Sequence, residues 1–240
     1  DDPTVSMLFY VNSSPFAGIE GDFLTTRHIK ERLDKELLSN VSLEIRLRER
    51  KDVFEVRGRG ELQLAVLIET MRREGFEFMV SKPTVITYKK DGKLMEPMEK
   101  VLLDIPEDNV GVITEKLSNR KGRMSNLQNN GHGRVILEFS IPSRGLIGFR
   151  SQFLTDTKGA GIMNKLFDGY QPWFGDIPQR INGAIVSDRD GMVTTYASHA
   201  MVDRGELFIN VGSKVYNGMV IGERNKSGDL SVNITREKKL

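Results

Sequence analysis

Residues 141–161, IPSRGLIGFRSQFLTDTKGAG, set two closely spaced glycines between an apolar stretch and an amphipathic one, with two more glycines at the exit. A phosphate cradle of the P-loop type needs G-x-x-x-x-G-K-[ST], because backbone N–H groups wrap the phosphates while a lysine and a hydroxyl serve charge and metal. GLIGFRS has neither the spacing nor the Lys-Ser/Thr pair, and GAGIMN (159–164) lacks the third glycine of a dinucleotide fingerprint. DTKG (156–159) and DRDG (188–191) share a D-x-x-G pattern with guanine-nucleotide switches, and NKSGD (225–229) approaches N-K-x-D with its aspartate one place late. Without a phosphate loop these strings read as turns. Gly145 and Gly148 then let a strand turn tightly into a packed helix.

Other chemistry is equally thin. His28, His132 and His199 fall on a predicted helix, a hairpin tip and a strand, with no short spacing that would assemble a metal site or an acid–base pair. Ser143 lacks the G-x-S-x-G context of a nucleophile elbow and reads as a helix N-cap. What recurs is cationic: VRGRG (56–60), NRKGR (119–123) and SRGLIGFR (143–150), each at a joint between elements. Arginine forks pair bidentately with phosphate oxygens, so such loops can grip folded RNA through its backbone.

Those joints belong to a repeated order of elements. TVSMLFYVN (4–12) alternates as a half-buried strand; Thr25 or Thr26 caps a helix with Ile29, Leu33 and Leu37 on one face. SLEIRLRE (42–49) and DVFEVRG (52–58) alternate as strands, and Leu64, Leu67, Ile68 and Met71 mark a second helix that Gly75 ends. FEFMVS and TVITYK supply a last strand interrupted by Pro83. The order β-α-β-β-α-β then recurs: strand 99–107, a helix with Val110, Ile113 and Leu117 on one face, a hairpin turning at NNGHG, a helix through Leu146, Phe149 and Phe153, and a closing strand in GAGIMNKLFDGYQP. Arg59-Gly60 and Arg144-Gly145 occupy one joint of this duplication, and Gly75 and Gly159 mark one helix end. From about residue 176 short strands with Gly, Asp and Asn turns predict a small all-β region, a partly closed barrel or curled sheet. The fold class expected is α+β: two ferredoxin-like sandwiches followed by a small, incomplete all-β C-terminal domain.

The ferredoxin-like order also serves RNA-recognition modules, but their aromatic third-strand signature is absent from DVFEVRGRG and GRVILEFSIP. An acylphosphatase would carry an arginine in its first loop, and NSSPFAGIEGDF has none. The 38% hydrophobic and 28% charged composition is that of a globular protein, no apolar run approaches the roughly 20 residues that span a bilayer, and the formal charge is only +2. The opening DDPTVSMLFYVNSS alternates instead of forming a signal peptide's apolar core. Zero cysteines exclude disulfides and fit a reducing cytoplasm.

NSSPFAGIEGDFLTTRHIKERLDKEL, FEVRGRGELQLAVLIETMRREGFE and IPSRGLIGFRSQFLTDTKGAG, with PQRINGAIVSDRDGMVTTYA, DRGELFINVGSKVYNGMVIGE and DLSVNITREKKL, resemble the BipA/TypA family of translational GTPases, relatives of elongation factor G. The resemblance runs through nearly the whole chain. It implies domains at 1–92 (like domain III of elongation factor G), 93–174 (like domain V) and 175–240 (the BipA-specific C-terminal domain, truncated). It also implies that the GTPase domain, with its GTP and Mg²⁺, lies outside this chain, leaving no cofactor, metal or catalytic residue within it. The implied partner is the ribosome, through ribosomal RNA, ribosomal proteins and the acceptor end of A-site tRNA, in the cytoplasm and without a membrane. The implied role is large-subunit assembly and adaptation to stress or low temperature. By charge and joint position the expected phosphate contacts are Arg57, Arg59, Arg120, Lys121, Arg123, Arg144 and Arg150, with Lys238 and Lys239 nearest the tRNA; Glu61 competes for Arg59. The alternative expectation is a structural or regulatory module with a small-ligand pocket between the two sandwiches.

Overall fold

The computed structural model describes residues 2–177 and 182–238, and the chain divides into two compact units, 1–177 and 178–240. In the first unit β1 (Val5–Val11), α1 (Thr26–Ser39), β2 (Glu44–Leu47), β3 (Val53–Gly58), α2 (Glu61–Arg73), β4 (Phe78–Val80) and β5 (Thr84–Val85) build one sandwich. Its sheet runs β2-β3-β1-β4, with β5 also on β1 and every pairing antiparallel. The Thr25 hydroxyl accepts the His28 N–H at 3.2 Å and starts α1, whose Ile29 and Leu33 meet Leu64, Leu67 and Met71 of α2 over Phe9, Phe54 and Val56. All of these are buried, so the four-residue spacing read in the sequence is the spacing of the core.

The second sandwich repeats the plan with β6 (Tyr88–Lys90), β7 (Lys93–Pro106), α3 (Val110–Asn119), β8 (Arg123–Asn129), β9 (Arg134–Pro142), α4 (Ser143–Leu146), α5 (Phe149–Asp156) and β10 (Ile162–Pro172). The sheet order β10-β7-β9-β8 matches the first, with β6 added on β7. Val101, Leu103, Ile105, Ile113, Leu117, Phe139, Phe149 and Phe153 form its core. Gly131, His132 and Gly133 all take positive φ at the β8–β9 tip, as NNGHG predicts.

Three local expectations change. TVITYK is not one strand: Thr84–Val85 pairs with β1, whereas Tyr88–Lys90 pairs with β7. The second helix is broken in two at Ile147, which is extended, and Gly148, whose φ is 71°. The α5 stop residue is Lys158 at φ 50°, with Gly159 following, whereas Gly75 itself fills that position after α2.

The second unit contains β11 (Ala184–Ser187), β12 (Gly191–Met192), α6 (Thr195–His199), β13 (Gly205–Leu207), β14 (Lys214–Val215), β15 (Val220–Arg224) and β16 (Leu230–Val232). Its main sheet, β13-β15-β11-β16, stays open, with β11 and β16 parallel, and β12 pairs only with β14. The region is therefore not all β. MVTTYAS (192–198), within the region expected to be short strands, turns into α6 because the Thr194 hydroxyl accepts the Ala197 N–H at 3.2 Å, and Ala197 enters the core with Ile185, Val193, Ile221 and Ile234. His199 accordingly ends a helix.

Candidate nucleic-acid interface

Three loops of the first unit touch one another. The Glu61 carboxylate at the start of α2 accepts the Gly148 N–H with both oxygens at 3.0 Å, joining loop 59–61 to loop 143–150. Arg120, which caps α3, donates Nη1 to the carbonyls of Gly145 at 2.9 Å and Ile147 at 3.0 Å, and Nη2 to the Gln152 side chain at 3.1 Å. These bonds join loop 119–123 to the same place and satisfy the carbonyls freed where the helix breaks. Gly60 lies close to Lys165, whose Nζ a Cβ there would approach to 3.2 Å and which is held by Glu99 at 3.2 Å.

The arginines and lysines expected to face phosphate divide sharply in this setting. Arg144 is half-buried: its Nε donates to Glu96 Oε2 at 2.5 Å and Nη2 to Glu96 Oε1 at 3.1 Å, Nη2 also reaches the Gly175 carbonyl, and the guanidinium lies 3.7 Å from the centre of the Trp173 ring. Glu96 is fully buried and also accepts the Phe174 N–H at 2.7 Å. Arg57 is held by Glu55 of its own strand at 3.1 Å and by Glu44 across on β2 at 3.8 Å. Arg120 is absorbed by the carbonyls just named, lies 5.5 Å from the Phe149 ring, and burial pushes its guanidinium below its ordinary pKa. These three charges are engaged in holding the sandwiches.

Arg59, Lys121, Arg123 and Arg150 are different. None forms an ion pair among the described residues; Arg59, Arg123 and Arg150 are exposed and Lys121 is half-buried. Glu61, the expected competitor for Arg59, is committed to Gly148 instead. Arg123 rests 4.7 Å from the centre of the Phe174 ring, which orients it without neutralising it. Lys121 holds φ 68° at a helix stop where the Gly122 N–H reaches Leu117 O at 2.8 Å and its own N–H reaches Ser118 O at 3.0 Å. A lysine there costs roughly 1 kcal/mol relative to glycine. In the second unit Lys238 is exposed, and Lys239 lies outside the described residues.

Ser143 is not an N-cap. Pro142 takes that position without a side-chain bond, and the buried Ser143 hydroxyl has no hydrogen-bond partner. No group of three or more metal-binding side chains gathers among the described residues. Two depressions lie on the first sandwich's helices, one of about 340 Å³ lined by Glu36, Asn40, Leu62, Gln63 and Val66. Sequence reasoning missed one cationic feature, Lys89, Lys90 and Lys93 at an exposed hairpin tip; the signal available was the KKDGK string around an Asp-Gly turn.

Tandem ferredoxin-like sandwiches with a cationic loop junction, followed by a small sheet, define a class of multidomain scaffold in which loops, rather than a pocket, carry the exposed chemistry. Residues 93–181 match the family model of the elongation factor G C-terminus and residues 182–240 that of the TypA/BipA C-terminal domain. The chain is 49% identical over 240 residues to the large ribosomal subunit assembly factor BipA of Synechocystis, 47% over 239 residues to that of Bacillus subtilis and 49% over 243 residues to that of Escherichia coli K12. It belongs to the BipA/TypA family. The alignments take in 99–100% of this chain but only 39–40% of those relatives. A crystal structure of a Thermus thermophilus protein overlaps 72% of this chain and 41% of its own at a TM-score of 0.48 and 14% identity, too distant to bear on function.

Proposed function

We propose that this chain is the ribosome-binding C-terminal portion of a BipA-type translational GTPase, and that Arg59, Lys121, Arg123 and Arg150 contact ribosomal RNA phosphates. The observation that carries this reading is the junction: four unneutralised cations on three loops that touch, with the intervening carboxylate of Glu61 spent on a backbone N–H. Phosphate oxygens are the ligands such an array lacks. The relatives' name, large ribosomal subunit assembly factor, supports the ribosome as the source of the RNA. In this reading GTP and Mg²⁺ belong to a domain outside the chain, the exposed Lys238 of the second unit faces tRNA, and the role in stress or cold rests on family resemblance alone.

The test is cosedimentation of the full chain with large ribosomal subunits across a salt series. Replacing Arg59, Lys121, Arg123 and Arg150 with glutamine should lower the slope of log affinity against log salt by about 3 to 4, at roughly 0.9 for each phosphate no longer neutralised. An unchanged slope in a variant that keeps the parent's thermal midpoint would remove the junction from the interface.

A further inference from the structure

The hairpin β6–β7 carries three uncompensated cations among the described residues. Lys90 and Lys93 face each other directly across the two strands, Lys89 lies on the opposite face, and all three are exposed with no ion pair among the described residues. Like charges paired across strands oppose folding. The β2–β3 turn shows how this chain neutralises cations elsewhere: there Arg50 pairs with Asp52 at 2.7 Å and Arg48 with Glu55 at 3.0 Å. At the β6–β7 tip Asp91 is the sole acidic residue among three lysines.

The tip is nevertheless firmly built. Asp91 at φ 51° and Gly92 at φ 74° form the two-residue turn with positive φ at both central positions that suits twisted hairpin strands. Tyr88 packs 4.8 Å from Tyr170 between ring centres, and the Trp173 N–H donates to the Leu94 carbonyl at 2.9 Å. The next residue, Phe174, is the ring under Arg123. Segment 173–174 thus touches both the base of the lysine finger and Arg123 of the cationic junction.

We infer that Lys89, Lys90 and Lys93 form a second RNA-phosphate contact, a finger with cations on both faces that enters between phosphate ridges of folded RNA and extends the junction's footprint. This rests on the ribosomal RNA reading above and adds a binding element outside the residues named there. A polyanion relieves the Lys90–Lys93 repulsion that the fold leaves standing, and a ribbon with cations on both faces suits phosphates on both sides better than a single anion.

The experiment uses the full chain, labelled for fluorescence, titrated with protein-free RNA extracted from large ribosomal subunits over a KCl series. Changing Lys89, Lys90 and Lys93 together to alanine should lower the log–log salt slope by about 2 to 3, while three arginines in their place preserve it. Lys93→Glu, which creates an opposite-charge pair with Lys90, should raise the thermal midpoint and still weaken RNA binding. An alanine variant with the parental slope, when the junction variant has reduced slope, overturns the finger and leaves the junction standing; a reduced slope in the alanine variant alone overturns the junction and keeps the finger. Weakened binding to intact subunits with unchanged binding to protein-free RNA assigns the finger to a ribosomal protein and overturns the inference. A midpoint lowered by Lys93→Glu overturns the Lys90–Lys93 repulsion as its physical basis.

Discussion

Arg59-Gly60 in the first sandwich and Arg144-Gly145 in the second follow equivalent strands, yet Arg59 is exposed and without an ion pair among the described residues while Arg144 is half-buried against the fully buried Glu96. The side chain that each arginine meets on the neighbouring segment explains the divergence. Arg59 directly follows Gly58, the partner of Val5, and lies beside Thr4, whereas Arg144 stands in the first turn of α4, past the last strand pair Met98↔Pro142, and its side chain reaches back to Glu96 of β7. The Thr4 hydroxyl reaches only the Arg59 carbonyl, at 3.3 Å, and leaves the guanidinium outside. Glu96 draws its arginine in, and the arginine in turn pins segment 173–175. A duplicated motif leaves its arginine exposed in one copy and makes it a clamp in the other, through one residue on the neighbouring strand.

The largest test of this contrast is Glu96→Gln. It leaves the half-buried Arg144 without its counter-charge and should destabilise the protein by roughly 2–4 kcal/mol, read by urea denaturation through Trp173, the only tryptophan. Replacing Arg144 and Glu96 together by methionine should recover most of that stability. A Glu96→Gln variant as stable as the parent would break the comparison.

Next in size, Thr4→Glu should convert the first joint toward the second by drawing Arg59 inward. Combined with Arg59→Met it should show a coupling of about 1–3 kcal/mol in a double-mutant cycle, and Thr4→Glu alone should lower the salt slope of RNA binding by about 1. Arg59→Met by itself should leave stability within about 0.5 kcal/mol of the parent, as expected of an exposed site.

Lys121→Gly sharpens the distinction between cations that hold the fold and cations that the fold only tolerates. Glycine relieves the positive φ at this helix stop, so stability should rise by about 0.5–1 kcal/mol while RNA binding weakens. A fall in stability would mean that Lys121 has a structural role like that of Arg120.

The smallest effect concerns an exposed ion cluster, a counterpoint to the Arg144–Glu96 pair. Arg72 and Arg73 at 2.9 and 2.8 Å hold the Glu69 carboxyl down to about 2. Because the folded value is depressed, its contribution is present above the ordinary carboxylate value near 4.5 and disappears as pH falls toward about 2. Carboxyl NMR should find this titration, and Glu69→Gln should barely move the thermal midpoint at neutral pH, in contrast to Glu96→Gln.

Much of the architecture was legible in the residues. The Ile29, Leu33 and Leu64, Leu67, Met71 spacings predict the buried helix faces, and NNGHG predicts the β8–β9 turn, because burial periodicity and positive-φ residues are local signals. The broken α4–α5 helix was not legible, since its cause is a guanidinium from Arg120 and a carboxylate from Glu61, both distant in sequence. Nor was α6, where a threonine cap and one core alanine outweigh the β-branched residues around them.

The candidate interface divides along the same line. Residue type and joint position alone picked out the cationic loops, because charge and turn chemistry are written in consecutive residues. Which of those cations stay available was decided only when strands aligned and loops met: Glu96 came to face Arg144, the carbonyls of 145 and 147 came to face Arg120, and Thr4 came to face Arg59. A charge's freedom depends on what lies within a few ångströms of it, and register and packing set that neighbourhood across 25 to 55 residues of chain.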